Sequence, residues 1–224
     1  MVHFRNLYLA GMKRKLWFFL SLFLFFAACR QNQDTSTKDN TYLKSAFHKI
    51  DSLKKRLHSG DLIFRSGNDE VSRAARSFNR TDTSYSHCGI VLIENNVPYV
   101  YHALGGVYNP SQKLMRQTLD SFANPTENNA IGAWRYPLDS IQIHRLTNVV
   151  QQYYNIGIKF DLFFNFKSDD RMYCAEFVYK SLNNATNGNL VPYVNMDTLP
   201  FGVTTDDLFL YKKAMIVSKE NFNK

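Results

Sequence analysis

A predicted β-hairpin constrains the fold of this chain more than any other feature of its sequence. Two runs rich in β-branched and aromatic residues, Ser86–Ile93 and Val97–Ala103, flank Asn95 and Asn96. Asparagine tolerates the left-handed backbone that a two-residue hairpin turn requires, so the two asparagines are expected to form the turn. The turn sets the register of the two strands, and the register sets the face on which each side chain lies.

Two histidines fall on one face of this predicted hairpin. The register places His102 opposite Gly89 and His87 opposite Leu104. Because side chains alternate along a strand, His87 and His102 are expected to be diagonal neighbours, within about 7–8 Å. Gly89 leaves room beside His102, whereas Cys88 points to the opposite face of the sheet.

A second predicted element carries Cys174 near its start. Apolar spacing indicates a helix over Met172–Asn183, with an N-cap expected at Asp169 or Asp170. Residues three, four, seven and eight positions after Cys174 share a helical face with it, so Cys174 is expected on the core-facing stripe. A helix N-terminus lowers the pKa of a thiol, and a nearby imidazole is expected to lower it further through an ion pair.

These residue types are the ones that thiol hydrolysis requires. The Cys174 thiolate would attack a carbonyl, His87 would return the proton to the leaving group, and His102 would orient His87. A Cys88–Cys174 disulfide is the alternative, and it is nearly exclusive with a His87–Cys174 pair because Cys88 and His87 point to opposite faces. A packed cysteine with satisfied histidines also remains open. Zinc is disfavoured, because the spacing is not compact and no fourth ligand is evident.

The rest of the chain predicts an α+β fold. Strands and hairpins lie between helices without regular βαβ alternation. Helical spacing and β-rich runs predict helices over 42–58, 69–78 and 140–154, strands over 61–65, 130–136 and 214–218, and a further short element over 205–209.

The N-terminal residues are typical of an exported lipoprotein. Residues 1–28 are a predicted signal peptide, with basic residues at 13–15 and an apolar run too short to span a bilayer comfortably. Small residues before Cys29 resemble a bacterial lipobox, so Cys29 is expected to carry lipid. A signal cut without lipidation, a short anchor helix and a start at Met12 remain open.

The mature chain is expected to be a single domain on a tether. The polar residues 29–41 predict a flexible segment, and residues 42–224 are long enough for one sizeable core. The chain has 27 Lys and Arg residues against 19 Asp and Glu, and residues 1–28 contain four of the basic ones. The mature net charge is therefore +4 without a dense basic stripe, so no nucleic-acid partner is expected.

With these residues in place, the chain resembles the permuted NlpC/P60 papain-like cysteine hydrolases, in particular the YiiX/YebB-like group. Five short segments in a characteristic order carry the resemblance: Ser59–Arg65, Tyr85–Val91, Tyr99–Ala103, Gly157–Asp161 and Met172–Val178. The resemblance implies a circularly permuted papain-like fold with an antiparallel sheet packed against helices. No cofactor or metal is expected.

The resemblance also assigns roles to residues. It implies Cys174 as the nucleophile, His87 as the base and His102 as the third polar residue, a position where many relatives have Glu. The backbone N–H of Cys174 is the implied oxyanion donor. The remaining candidates are Tyr173 and Ser86 for substrate or oxyanion contacts, and Asp61, Asp161 and Glu176 as structural or site residues. For Tyr173, packing and oxyanion stabilisation are equally open.

The favoured hypothesis is an envelope-associated lipoprotein that cleaves an amide, in peptidoglycan-type peptides, through a thioester at Cys174. Hydrolysis or transfer of a lipid or acyl ester is the alternative, since Phe163, Phe164 and Phe166 could line an apolar pocket. A non-catalytic binding lipoprotein is a second alternative. The expected partners are a peptide or acyl substrate of the bacterial envelope and, through the N-terminal lipid, a membrane surface facing the periplasm or exterior. The oligomeric state is left open.

Overall fold

The computed structural model describes residues 40–192 and 202–222. Contacts divide the chain into one unit of residues 1–45 and a second of residues 46–224. Of the first unit, residues 40–45 are described and they are helical, so the end of the predicted tether is ordered as helix. The predicted signal peptide and Cys29 lie outside the described residues. Within the described ranges, no helix has both the length and the hydropathy needed to cross a membrane.

A six-stranded antiparallel sheet forms the centre of the second unit. Its strands run in the spatial order β4-β3-β2-β1-β5-β6. They are β1 (Leu62–Gly67), β2 (His87–Glu94), β3 (Val97–His102), β4 (Met115–Thr118), β5 (Asn128–Arg135) and β6 (Met215–Asn221). The predicted α+β class, with an antiparallel sheet packed against helices, is confirmed.

Helices cover the two faces of this sheet. They are α1 (46–54), α2 (Glu70–Arg76), α3 (Leu119–Phe122), α4 (Ser140–Ile156), α5 (Cys174–Thr186) and α6 (Thr205–Phe209). Several helix ends carry side-chain or glycine caps. For example, Asp139 and Gln142 form a capping box at the start of α4, and Gly157 ends α4 in the left-handed conformation, with φ 71°.

The predicted hairpin register is confirmed. Asn95 and Asn96 have φ of 50° and 64°, as a turn of this type requires, and Glu94 pairs with Val97. The pairing continues to Ile90 opposite Tyr101, so the alternation along β2 follows the prediction. The first residues of β2 therefore present their side chains alternately to the two faces of the sheet.

Each face of the sheet is covered by a different helix. α5 packs on β2 and β3, and α4 packs on α5. The core in this layer includes Cys88, Ile90, Phe177 and Val178. α3 contacts β3 and β4 on the opposite face. The sequence did not predict β4 or α3, because each has only four residues and neither shows a clear hydrophobic period. Both elements contribute to the surroundings of the histidines.

Candidate active site

Cys174 is the first residue of α5, and Tyr173 is its N-cap. The predicted N-cap at Asp169 or Asp170 is wrong. The carboxylate of Glu176 accepts a hydrogen bond from the Tyr173 N–H at 3.2 Å, which fixes the helix start later than expected. Cys174 therefore lies in the first turn, where the backbone N–H groups have no partner within the helix and can interact with a sulfur.

Cys174 is partly buried, and donors surround its sulfur. The Cys88 thiol and the backbone N–H groups of Cys88, Ala175 and Cys174 itself lie close enough to favour the ionised sulfur. These donors stabilise the thiolate and hold the pKa of Cys174 below its ordinary value, although burial opposes the shift. The buried Cys88 thiol has its pKa raised well above the ordinary value, chiefly by burial, so Cys174 is the thiol that ionises first.

The expectation that Cys88 looks away from Cys174 is wrong. Side chains alternate along β2 as predicted, but α5 covers the face that carries Cys88, not the face that carries His87. The local register gives the two faces and cannot say which of them a distant helix will cover. Both thiols are free, and no hydrogen bond joins Cys174 to His87 among the residues that the structure describes.

The predicted pairing of the two histidines is confirmed. Nε2 of His87 lies 2.9 Å from Nδ1 of His102, and the ring centroids are 5.0 Å apart in an edge-to-face arrangement. Gly89 provides the space, as predicted: a Cβ there would lie 2.6 Å from the Tyr101 carbonyl oxygen and 3.0 Å from Cβ of His102. A side chain at position 89 would push the two strands or the His102 ring out of place.

The histidine pair is enclosed by residues that the sequence pattern did not indicate. The Phe122 ring contacts both imidazoles, with centroid distances of 5.8 Å to His87 and 5.1 Å to His102. Arg65 lies opposite His87 in the β1–β2 ladder, stacks over Phe122 and donates to its carbonyl at 3.0 Å. Gln117 on β4 places Oε1 3.0 Å from Nε2 of His102.

Both imidazoles are held in the neutral form. Burial lowers the pKa of His87 well below its ordinary value, and the positive charge of Arg65 lowers it further. The same two causes lower the pKa of His102 to about 3. The predicted thiolate–imidazolium ion pair is therefore not the resting state of this structure. The lowered pKa of Cys174 comes from neighbouring donors instead of an imidazolium.

Tyr173 and Ser86 have hydrogen bonds that explain their positions structurally. The Tyr173 hydroxyl donates to the Val203 carbonyl at 3.0 Å and accepts from the Val203 N–H at 3.1 Å. The Ser86 hydroxyl accepts from Gly67 N–H at 3.1 Å and donates to the Arg65 carbonyl at 3.2 Å. Both residues are buried. This geometry favours the packing role that the sequence left open for Tyr173.

The three acidic candidates also have structural partners. Asp61 forms a bidentate pair with Arg135, with both distances 2.7 Å. Asp161 accepts from the backbone N–H groups of residues 163 and 165 and so shapes the loop after it. Glu176 caps α5 and lies 2.9 Å from the Lys180 ammonium, while burial raises the pKa of Glu176 to about 7.

The part of the chain that contains this site matches a known protein family. Residues 56–201 match the sequence model of a family described as a permuted papain-like amidase enzyme, YaeF/YiiX, C92 family. The chain belongs to this family. The match covers the histidine pair and Cys174, and membership in the C92 family supports a cysteine hydrolase, as the sequence predicts.

Two relatives bear on the fold of this C92 member. The chain is 31% identical over 128 residues to the uncharacterised protein YiiX of Escherichia coli K12, and the match covers 57% of this chain and 58% of YiiX. The crystal structure of a metalloprotein YiiX from Escherichia coli O157:H7 superposes with a TM-score of 0.59 at 23% identity, over 74% of this chain and 98% of that one. The predicted permuted papain-like fold is therefore confirmed.

Proposed function

We propose that this protein is a cysteine hydrolase that cleaves an amide bond, with Cys174 as its nucleophile. The observation that carries the proposal is the position of the Cys174 sulfur. Cys174 is partly buried in the first turn of α5, four nearby donors favour its ionised form, and it lies beside Cys88, the residue that follows His87 at the start of β2. A sulfur that is accessible and stabilised as a thiolate is a competent nucleophile.

In the proposed first step, Nδ1 of neutral His87 accepts the thiol proton while the sulfur of Cys174 bonds to the carbonyl carbon. The electron pair of the C=O bond moves to its oxygen, and the backbone N–H of Cys174 stabilises that charge. The imidazole of His87 and the thiol of Cys174 are not hydrogen-bonded in this structure, and such contacts often form only when substrate is bound. Because α5 covers the face of β2 that carries Cys88, the proposal requires the His87 ring to move towards Cys174 around the start of β2.

The second step releases the amine. The tetrahedral intermediate collapses, the C–N bond breaks, and His87 gives its proton from Nδ1 to the departing nitrogen. A thioester at Cys174 remains. His87 then accepts a proton from water, the resulting hydroxide attacks the thioester, and the sulfur leaves and regains a proton from His87. The products are a carboxylic acid and an amine, and the protein returns to its starting state.

The proposed substrate is a peptide amide of the bacterial envelope, as in peptidoglycan stems. The proposed location rests on the predicted signal peptide and lipobox at Cys29. Incorporation of labelled palmitate that is lost in Cys29→Ser tests this location, and incorporation that persists contradicts it.

The solved YiiX is called a metalloprotein, but among residues 40–192 and 202–222 no group of three or more His, Cys, Asp or Glu side chains could hold a metal ion. No metal step is therefore proposed.

The aromatic residues behind the ester alternative give it little support. Phe164 packs against Phe160 and Tyr173, and Phe166 packs against Tyr179, so both belong to the core packing. Of the three phenylalanines, Phe163 alone is largely exposed, at 87%. The amide proposal therefore stands ahead of the ester proposal.

Hydrolysis of two matched substrate sets tests the proposed function. The wild-type protein is incubated with muramidase-digested peptidoglycan, and new amino groups are quantified. A parallel reaction with p-nitrophenyl acyl esters measures ester hydrolysis. The proposal expects new amino groups with the wild-type protein and none with Cys174→Ala. Ester hydrolysis without amine release would favour the alternative, and release that is equal in Cys174→Ala would reject Cys174 as nucleophile.

A further inference from the structure

Gln117 extends the histidine pair by one more hydrogen bond. It lies on β4, opposite Val100 of β3, and its side chain is half-buried beside His102. The chain of contacts runs from Oε1 of Gln117 to Nε2 of His102 at 3.0 Å, and from Nδ1 of His102 to Nε2 of His87 at 2.9 Å.

The direction of these hydrogen bonds follows from the carbonyl oxygen of Gln117. An oxygen of this kind only accepts, so Nε2 of His102 must carry the hydrogen. A neutral imidazole carries one hydrogen, and Nδ1 of His102 is then an acceptor. Nε2 of His87 must donate to it, which leaves Nδ1 of His87 without a hydrogen.

We propose that Gln117 is a positioning residue that holds His87 in the tautomer with a free lone pair on Nδ1. This inference rests on the proposed function, in which Nδ1 of His87 accepts the Cys174 proton. No other hydrogen bond of the His87 ring is present among the described residues, so Nδ1 remains available for that step.

The surroundings of the pair make such a device necessary. Both rings are buried, and the nearby guanidinium of Arg65 keeps them neutral. Two neutral imidazoles joined by one hydrogen bond have two arrangements that differ only in direction. In the reversed arrangement His102 donates from Nδ1 to Nε2 of His87, and Nδ1 of His87 then carries the hydrogen and cannot act as a base. An acceptor at the far end of the pair selects the productive direction.

The tautomer can be read directly by ¹⁵N NMR of protein labelled at histidine. The resonances are assigned by substituting each histidine in turn, and protonated and unprotonated ring nitrogens are distinguished by their shifts. In the wild-type protein, Nδ1 of His87 should be unprotonated and Nε2 protonated. A protonated Nδ1 of His87 overturns the inference, whether or not any variant folds.

Two substitutions at one position test the role of Gln117. Gln117→Met removes the acceptor at similar volume, whereas Gln117→Glu keeps it. Gln117→Met should shift His87 towards the reversed tautomer, and Gln117→Glu should retain the wild-type spectrum. If Gln117→Met leaves the tautomer of His87 unchanged, the inference is wrong.

Kinetics give a second readout that a purely structural role would not produce. Gln117→Met should lower kcat about tenfold or more and leave KM little changed. This loss is smaller than the roughly 10²- to 10⁴-fold rate increase that a general base contributes, or falls within it. Gln117→Glu should retain most of the wild-type kcat. An active Gln117→Met overturns the inference even if Cys174→Ala is inactive. Full activity of Cys174→Ala overturns the proposed function. The NMR measurement would still report the tautomer of His87, because it does not depend on activity.

Discussion

The thiols of Cys88 and Cys174 contact each other where the start of β2 meets the first residue of α5. The thiol and the backbone N–H of Cys88 lower the pKa of the Cys174 thiol. Cys88 is fully buried, and Cys174 is partly buried. Cys88 is therefore expected to favour the thiolate of Cys174, the proposed nucleophile, although the sequence suggested that Cys88 would face away.

Replacement of Cys88 should weaken the Cys174 thiolate. Cys88→Ala removes the thiol donor, so the pKa of Cys174 should rise and its alkylation by iodoacetamide should need a higher pH. Cys88→Ser retains a donor and should keep a profile close to that of the wild-type protein. Mass spectrometry confirms that the label is on Cys174. Identical profiles for Cys88→Ala and wild-type protein would exclude this role of Cys88.

The neutral histidine pair should make the fold sensitive to acid. Each buried imidazole binds its proton less readily in the folded state, so the unfolded state takes up more protons as pH falls below about 6.5. The free energy of unfolding should therefore fall with pH, by up to about 1.4 kcal/mol per pH unit for each histidine. For His102, whose folded pKa is about 3, this loss extends from pH 6.5 down towards pH 3.

Urea unfolding between pH 7 and pH 5 measures this dependence. The double variant His87→Gln/His102→Gln should show a shallower slope than the wild-type protein. His144→Gln replaces an exposed histidine and serves as the matched control. A double variant with the wild-type slope would show that the pair does not cause the acid sensitivity.

Asp61 should matter for stability and not for chemistry. Its buried carboxylate forms a bidentate pair with Arg135 and accepts from the His58 N–H at 2.8 Å. Asp61→Asn should lower the free energy of unfolding by about 2–4 kcal/mol and leave the alkylation profile of Cys174 unchanged. The control Asp120→Asn breaks a more exposed pair with Lys54 and should cost about 0–1 kcal/mol. A changed Cys174 profile with wild-type stability would move Asp61 into the site.

Tyr173→Phe separates the two roles that the sequence left open for this residue. It removes the two hydrogen bonds to Val203 and should cost about 1–3 kcal/mol of stability. An oxyanion donor would instead lower kcat by about 10²- to 10³-fold. We expect a loss of kcat below tenfold, with Tyr179→Phe as the control for a partly buried tyrosine on the same helix. A loss of 10²-fold at unchanged stability would assign Tyr173 to the oxyanion.

Local chemistry made part of this structure predictable from the sequence. Asn95 and Asn96 fix a two-residue turn, so the strand register and the proximity of His87 to His102 followed from alternation alone. Helical spacing likewise predicted α4 over 140–154, close to its observed range Ser140–Ile156.

Contacts between distant segments could not be predicted in this way. Helical periodicity places Cys174 on a core-facing stripe, but it does not say which face of β2 that stripe covers, so Cys88 was assigned the wrong side. The Gln117–His102 contact depends on the pairing of β3 with β4, a four-residue strand without a hydrophobic pattern. The sequence predicted the start of α5 too early. Glu176, a residue within the helix, caps its start, and the acidic residues that precede the helix do not.

The central claim is that an amide substrate is cleaved through a thioester at Cys174. Acid quenching of the wild-type protein during turnover of muramidase-digested peptidoglycan, followed by intact-mass and peptide mass spectrometry, tests it most directly. We expect an acyl adduct on Cys174 that is labile to hydroxylamine and disappears as substrate is exhausted. Continued release of amine from that substrate by protein fully alkylated at Cys174 would contradict it.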